Sequence, residues 1–377
     1  MLYTLMHFDT PLVAFSVESG ASPNLALQQV YTQHQALFPL NLPEVSASAL
    51  ESWLKHRAIP KNRAYVDNLL SAMGLSINRP LDLLRISKGL SLNDCYWLKP
   101  EISHEGFAEV NLYDNRFSRV LGQIAFTGYG SSDISGITSS PEFTTNGTLP
   151  KCWRRIGGKI ILYKGGTMGA SNTGNEPYSE FYAYKIAEIL GVNAIPYSLT
   201  KWKNTLCSTC ELFTSKSLSF VPVGRIIRNG GMPAIKEYYK TLGTQFEAAL
   251  NEMLIFDALI FNTDRHFGNF GFLVDRASNK IVAPAPLFDH GNSLLNYAGT
   301  DALKDEKSIW KYAQTQLPCA YDDFVTEAKK GLTHEWHNAI RKLLTFKLPK
   351  HSRYNLPPQR LKLLEYAITQ RATQLLE

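Results

Sequence analysis

At 377 residues the chain is long enough to bury the cores of two lobes and an accessory segment. Its 44% hydrophobic and 19% charged content excludes wholesale disorder. The formal charge of +6 suits nucleotides or an acidic partner, but it lacks the dense Lys/Arg run that direct nucleic-acid binding needs. No apolar stretch approaches the about 18 residues of a membrane helix. Residues 1–9 show neither the positive start nor the apolar core of a secretory signal. Five irregularly spaced cysteines make no disulfide framework, which points to a reducing cytoplasm.

In chain order, residues 2–8 and 12–17 predict short strands. A helix over 46–56 is capped by Ser46 or Ser48, with Leu50, Trp53 and Leu54 on one face. A second helix over 66–74 closes on Gly74. Arg57, Lys61 and Arg63 read as loop charges at a helix exit, and the basic clusters at 151–159 and 347–353 as solvated faces. Residues 128–140, Gly-Tyr-Gly-Ser-Ser-Asp-Ile-Ser-Gly-Ile-Thr-Ser-Ser, are either a phosphate-covering loop, whose small residues expose backbone N–H groups to an anion, or a linker. Downstream, 159–164 is a strand ending in Lys164. A helix over 177–190 then carries Glu180 in its first turn, with Phe181, Tyr184, Ala187 and Leu190 along one face, and stops at Gly191.

Residues 195–213 predict further strands, with Cys207 and Cys210 packed in them as small hydrophobes, since no second pair or nearby His completes a zinc site. Backbone groups near Glu211 and Phe213 fall where a linker between lobes would meet adenine. A capping box, Thr244-Gln-Phe-Glu247, opens a helix apolar almost all round to Phe261. Then come Asn262-Thr-Asp-Arg-His-Phe-Gly-Asn269, a hairpin over 271–288, and Phe288-Asp-His-Gly291. Residues 294–316 read as polar and irregular. Helices are expected over 320–346 and 357–376, the last with Leu361, Leu364, Ile368 and Leu375 as its stripe.

A strand lysine, a helix glutamate, then Asp264, Asn269 and Asp289 in this order match the working parts of a kinase-type phosphotransferase. There a lysine contacts nucleotide phosphates and a glutamate holds it. One carboxylate (Asp264) accepts the hydroxyl proton, and an amide and a second carboxylate (Asn269, Asp289) hold magnesium. Singly, each has a plainer reading: a solvated strand-end lysine, a dipole-compensating glutamate, an Asx turn. Their joint order carries the inference. His266 belongs to the catalytic loop, where it orients the chain rather than reacting.

The 262–269 and 288–291 motifs resemble those of HipA-like serine/threonine kinases, the toxin components of bacterial toxin–antitoxin pairs. Phosphoinositide kinases carry a similar Asp-Arg-His-x-x-Asn loop but usually end with Asp-Phe-Gly. The resemblance implies an α+β, bilobal kinase-like fold with a β-rich amino lobe and a mainly helical carboxy lobe. The corresponding division is an accessory region over 1–100, an amino lobe over 101–210 and a carboxy lobe over 211–377. It further implies that ATP and Mg²⁺ are used to phosphorylate a protein, aminoacyl-tRNA synthetases being known targets. Autophosphorylation is implied on a loop serine, for which Ser135, Ser139 and Ser140 are candidates, and so is a separate small helix-turn-helix antitoxin partner. Two alternatives stay open: a phosphoinositide-type lipid kinase, and a catalytically silent ATP-binding regulator acting with a DNA-binding antitoxin.

Overall fold

The computed structural model describes residues 1–18, 25–42, 44–76, 80–130, 140–168 and 174–377. The strands are β1 (Leu2–His7), β2 (Thr10–Val17), β3 (Leu25–Val30), β4 (Tyr96–Pro100), β5 (Lys151–Ile156), β6 (Lys159–Gly165), β7 (Ser198–Trp202), β8 (Thr205–Glu211), β9 (Leu218–Pro222), β10 (Gly271–Asp275) and β11 (Lys280–Pro284). The helices of the first half are α1 (Ala47–Lys55), α2 (Val66–Ser71), α3 (Pro80–Ser87), α4 (Phe107–Val110), α5 (Arg119–Thr127) and α6 (Glu176–Leu190). The second half adds α7 (Val223–Ile226), α8 (Gly231–Leu242), α9 (Thr244–Ile260), α10 (Glu306–Gln314), α11 (Phe324–Lys329), α12 (His334–Arg341) and α13 (Pro358–Leu376). Three sheets form among the described residues, in the orders β3-β2-β1-β4, β5-β6-β8-β7 and β11-β10-β9.

By contact density the chain divides into two units, one of residues 1–163, 212–221 and 273–282, the other of 164–211, 222–272 and 283–377. The chain passes from one unit to the other between Tyr163 and Lys164 and back between Glu211 and Leu212.

In the first unit, β1 pairs antiparallel with both β2 and β4. Leu5, Leu12, Phe15 and Leu98 from that sheet share a core with Leu50, Trp53 and Leu54 of α1. Ser46 caps α1, its hydroxyl accepting from Ala49 N at 3.1 Å. Gly74, at φ +65°, closes α2 as expected, with Leu75 N donating to Leu70 O at 2.9 Å. The loop-charge reading fails at two positions. Arg57 forms a two-toothed pair with Asp94, and Arg63 is buried against Glu142 at 3.1 Å. The basic stretch at 151–159 is likewise not a solvated face throughout, because β5 buries Lys151, whose Nζ donates to Asn146 O at 2.8 Å. A chain rich in Lys and Arg reads as surface only while those groups lack local acceptors.

In the second unit, α9 is the buried centre, with every residue from Met253 to Ile260 inaccessible or nearly so. Its start is not the expected capping box. Gly243, at φ +115°, is the residue before the helix, and Phe246 N and Glu247 N both donate to Gly243 O. The frame is one residue earlier, set by a glycine that tolerates this backbone. α6 buries Phe181, Tyr182, Ala183, Ile186, Ala187 and Leu190, so its inner face includes Tyr182 and Ala183 while Tyr184 is half-buried. It ends at Gly191, φ +78°. β7 and β8 form a hairpin whose two turn residues, Lys203 and Asn204, take φ of +50° and +63°, the left-handed pair that a two-residue turn requires. Residues 294–316 are less irregular than expected: Asp305 caps α10, accepting from Ser308 N at 2.8 Å.

Candidate active site

Lys164 sits at the end of β6, 6% exposed, and Ser208 Oγ of β8 donates to its carbonyl at 3.4 Å. A buried ammonium needs partners, and Lys164 has two carboxylates. Its Nζ donates to Glu180 Oε1 of α6 at 2.7 Å and to Asp289 Oδ1. Burial alone pushes the ammonium pKa down, but Asp289 and Glu180 outweigh it and hold the group above its ordinary value. Burial also pushes the Glu180 carboxyl up, Lys164 pulling against it. The strand lysine and Glu180, which falls in the second turn of α6 rather than the first, thus meet, and the second motif's aspartate joins them. Glu176, one turn before Glu180, ties the chain after β6: its carboxylate accepts from Thr167 N and Oγ1 and from Tyr297 OH at 2.8–3.1 Å. A Cβ on Gly166 would lie 2.7 Å from that carboxylate, so the turn requires glycine there.

The loop after α9 turns at once. Phe261 takes the left-handed conformation, φ +54°. Asn262 then donates to Asp257 Oδ1 at 2.9 Å and accepts from Asp264 N at 3.3 Å. Asp264 is half-buried, and its Oδ2 accepts from Asn292 Nδ2 at 3.0 Å. Asn269 spends its Nδ2 on Asp264 O at 3.2 Å. His266 is exposed, and its Nδ1 accepts from Gly268 N at 3.1 Å. That geometry is a loop staple. α7 braces the same loop from outside, Gly224 N donating to Phe267 O and Val223 N to Phe270 O. A Cβ on Gly224 would come within 2.7 Å of Phe267.

The Asp-His-Gly turn is fixed from both ends. Before it, Leu287 N donates to Asn193 O and Ile195 N to Leu287 O. Asp289 itself takes φ +58°, with its N–H on Tyr197 OH at 3.3 Å. His290 is fully buried, its N–H on Glu180 Oε2 at 2.7 Å and its Nδ1 accepting from Arg265 at 3.0 Å. Burial, and next the Arg265 guanidinium, drive the imidazole pKa well below its usual range. A guanidinium can only donate, so Nδ1 is the acceptor of this pair. Ser293 Oγ donates to His290 O at 2.6 Å and closes the turn.

Lys164 contacts both Glu180 and Asp289, and Asp264 and Asn269 share one loop of the same unit. Glu211 ends β8 with its side chain exposed. Phe213 belongs to the other unit, edge-on to Phe220 at 5.4 Å. Ser135 and Ser139 lie outside the described residues. Ser140 is 2% exposed, with its hydroxyl at the start of the 3-10 turn Pro141–Phe143. No cluster of three His, Cys, Asp or Glu suited to a metal occurs among the described residues. An amide oxygen with one carboxylate is the sparse hard-oxygen set that fits magnesium, which retains waters and leans on substrate phosphates. Cys207 and Cys210 form no disulfide and are buried as expected, burial pushing the Cys210 thiol up to about 12.

Sequence reading missed Asp257 and Arg265. Both are 0% exposed and joined by two hydrogen bonds of 2.8 and 3.0 Å. The available signal was an aspartate inside an otherwise apolar helix, since a charge so buried demands a partner.

No family model matches the chain. A curated relative, the serine/threonine-protein kinase CtkA of Helicobacter pylori, is 29% identical over 135 residues, which is 32% of this chain and 41% of that protein, less than half its length. The crystal structure of that proinflammatory kinase matches 62% of this chain and 90% of its own at a TM-score of 0.47 and 15% identity. The HipA toxin of Shewanella oneidensis, solved with HipB and operator DNA, matches 100% of this chain and 96% of its own at a TM-score of 0.53 and 15% identity. That match takes in residues 1–100, which the sequence motifs did not reach. No helix among the described residues is long and apolar enough to cross a membrane. With a β-rich amino-terminal region and a helical carboxy-terminal one, the chain has the HipA-like kinase fold, and the resemblance read from residues 262–269 and 288–291 holds for the fold as a whole.

Proposed function

We propose that the chain is a Mg-ATP-dependent serine/threonine protein kinase of the HipA-like toxin type. The observation that carries this reading is the buried Lys164 bridging Glu180 and Asp289, beside the Asp264–Asn269 loop. Lys164 contacts the phosphates of ATP, and Glu180 keeps its ammonium in place. Asp264, steadied by Asn292, accepts the proton of the attacking hydroxyl, and Asn269 and Asp289 hold magnesium. Bound magnesium supplies neutralisation of the phosphate charge. The target is a cellular protein, an aminoacyl-tRNA synthetase being the first to assay. Autophosphorylation falls on Ser135 or Ser139, since Ser140 is buried and occupied as a cap. A separate small antitoxin partner is proposed on analogy with HipA, whose structure includes HipB.

Transfer of labelled γ-phosphate tests the reading. Asp264→Asn and Asp289→Ala should each abolish transfer while the folded fraction by circular dichroism stays unchanged. Undiminished transfer by either variant would remove the assigned role, and transfer to phosphoinositide but not to protein would favour a lipid kinase.

A further inference from the structure

Arg265, to which the chemistry assigns no role, is tied directly to the site. Its guanidinium is fully buried and donates five hydrogen bonds. Two of them, from Nε and one terminal nitrogen, reach the Asp257 carboxylate in the interior of α9, so the fork is held by the most buried helix of its unit. The remaining three go to the site. Nη1 donates to Asn269 O at 3.0 Å and to Phe288 O at 2.5 Å, and Nη2 donates to His290 Nδ1 at 3.0 Å. Phe288 and His290 flank Asp289. One planar group therefore holds the backbone of Asn269 and grips the chain on both sides of Asp289. We propose that Arg265 is a positioning residue that sets the spacing of Asn269 and Asp289, the two oxygen ligands, and that His290 is its acceptor on the Asp289 side. The inference rests on the metal-ligand roles in the proposed function.

The chemistry explains the residue types. A planar fork with five donors spans three acceptors and a carboxylate at once, which a lysine ammonium cannot. The imidazole at 290 offers Nδ1 to Arg265 inside the core, where a phenyl ring would offer no acceptor. Outer groups that orient metal ligands typically change metal affinity about 10- to 100-fold when replaced.

The test is calorimetric binding of a non-hydrolysable ATP analogue to the full chain, once with EDTA and once with excess Mg²⁺. The readout is the ratio of the two affinities, which a purely structural role would leave alone. Arg265→Lys should keep the EDTA affinity and lose about 10- to 100-fold of the magnesium-dependent gain. His290→Phe should lose part of that gain in the same direction, and it decides the matter if Arg265→Lys fails to fold. A normal magnesium gain in either folded variant overturns the inference while leaving the kinase reading intact. A wild-type chain with no magnesium gain overturns both.

Discussion

The loop over 262–269 separates two kinds of polar residue by their burial and bonding. Asp264 is half-buried, with one carboxylate oxygen on Asn292. His266, two residues on, is exposed and spends Nδ1 on Gly268 N. Removing a single exposed hydrogen bond of this kind costs about 0.5–1.5 kcal/mol, whereas removing a general acid or base costs about 10²–10⁴-fold in rate. His266→Ala is therefore expected to lower the unfolding free energy by about 0.5–1.5 kcal/mol and to keep phosphotransfer within about tenfold of wild type. A drop of 10²-fold or more, measured at saturating substrate, would move His266 from loop staple to chemistry.

At the level of elements, stability rests on ion pairs buried between segments far apart in sequence. Arg63 donates to Glu142 Oε2 at 3.1 Å, to Glu142 O at 3.0 Å and to Lys151 O at 2.7 Å, tying the approach to α2, the turn at 141–143 and β5 together. Burial pushes the Glu142 carboxyl up to about 7, with Arg63 pulling the other way. Arg63→Met leaves that carboxylate buried without its cation and should cost about 3–5 kcal/mol near neutral pH. The sign of its pH dependence follows from linkage. A carboxyl whose folded pKa lies above its unfolded value carries stability that is full below the unfolded value and is lost as pH rises through the folded one. The variant's deficit should therefore grow from pH 4.5 to pH 8 in urea unfolding, and a deficit that shrinks over that range would refute the account. The same pair shows why some of the fold was illegible. Arg63 looks like a surface charge until its partners, 79 or more residues away, are known. α5 hid behind Gly122 and its Gly/Ser-rich sequel, and α10 behind a run of charges. By contrast α9 and β6 were legible because apolar period and length are local. The meeting of Lys164 with Glu180 and Asp289 was legible because their order along the chain matches that of a kinase-type site. Asp257 and Arg265 were not, because support for a site follows from tertiary contacts and has no spacing rule.

For the molecule as a whole, the division into two units gives the nucleotide reading a thermodynamic consequence. Lys164, Glu180, Asp264, Asn269 and Asp289 all belong to the second unit, as do α6, α9 and the helices after residue 305. The first unit has a core of its own, built on β1, β2, β4 and α1. A ligand that binds only the folded chain stabilises it by RT ln(1 + [L]/Kd), about 2.7 kcal/mol at a hundredfold excess over Kd. Hydrogen exchange reports where that stabilisation falls, because amides are protected according to the opening reaction that exposes them. Mg²⁺ with a non-hydrolysable ATP analogue should therefore slow exchange in α6, in residues 262–271 and around 287–293, while amides of β1, β2 and β4 change far less. Asp289→Ala should erase the magnesium-dependent part and leave the magnesium-free part. Protection confined to the β1–β4 sheet would place the nucleotide away from Lys164 and remove the main support for the kinase assignment. Equal protection throughout would instead mean that the two units open together, and the ion-pair cluster at Lys164 would then have to be tested by mutation alone.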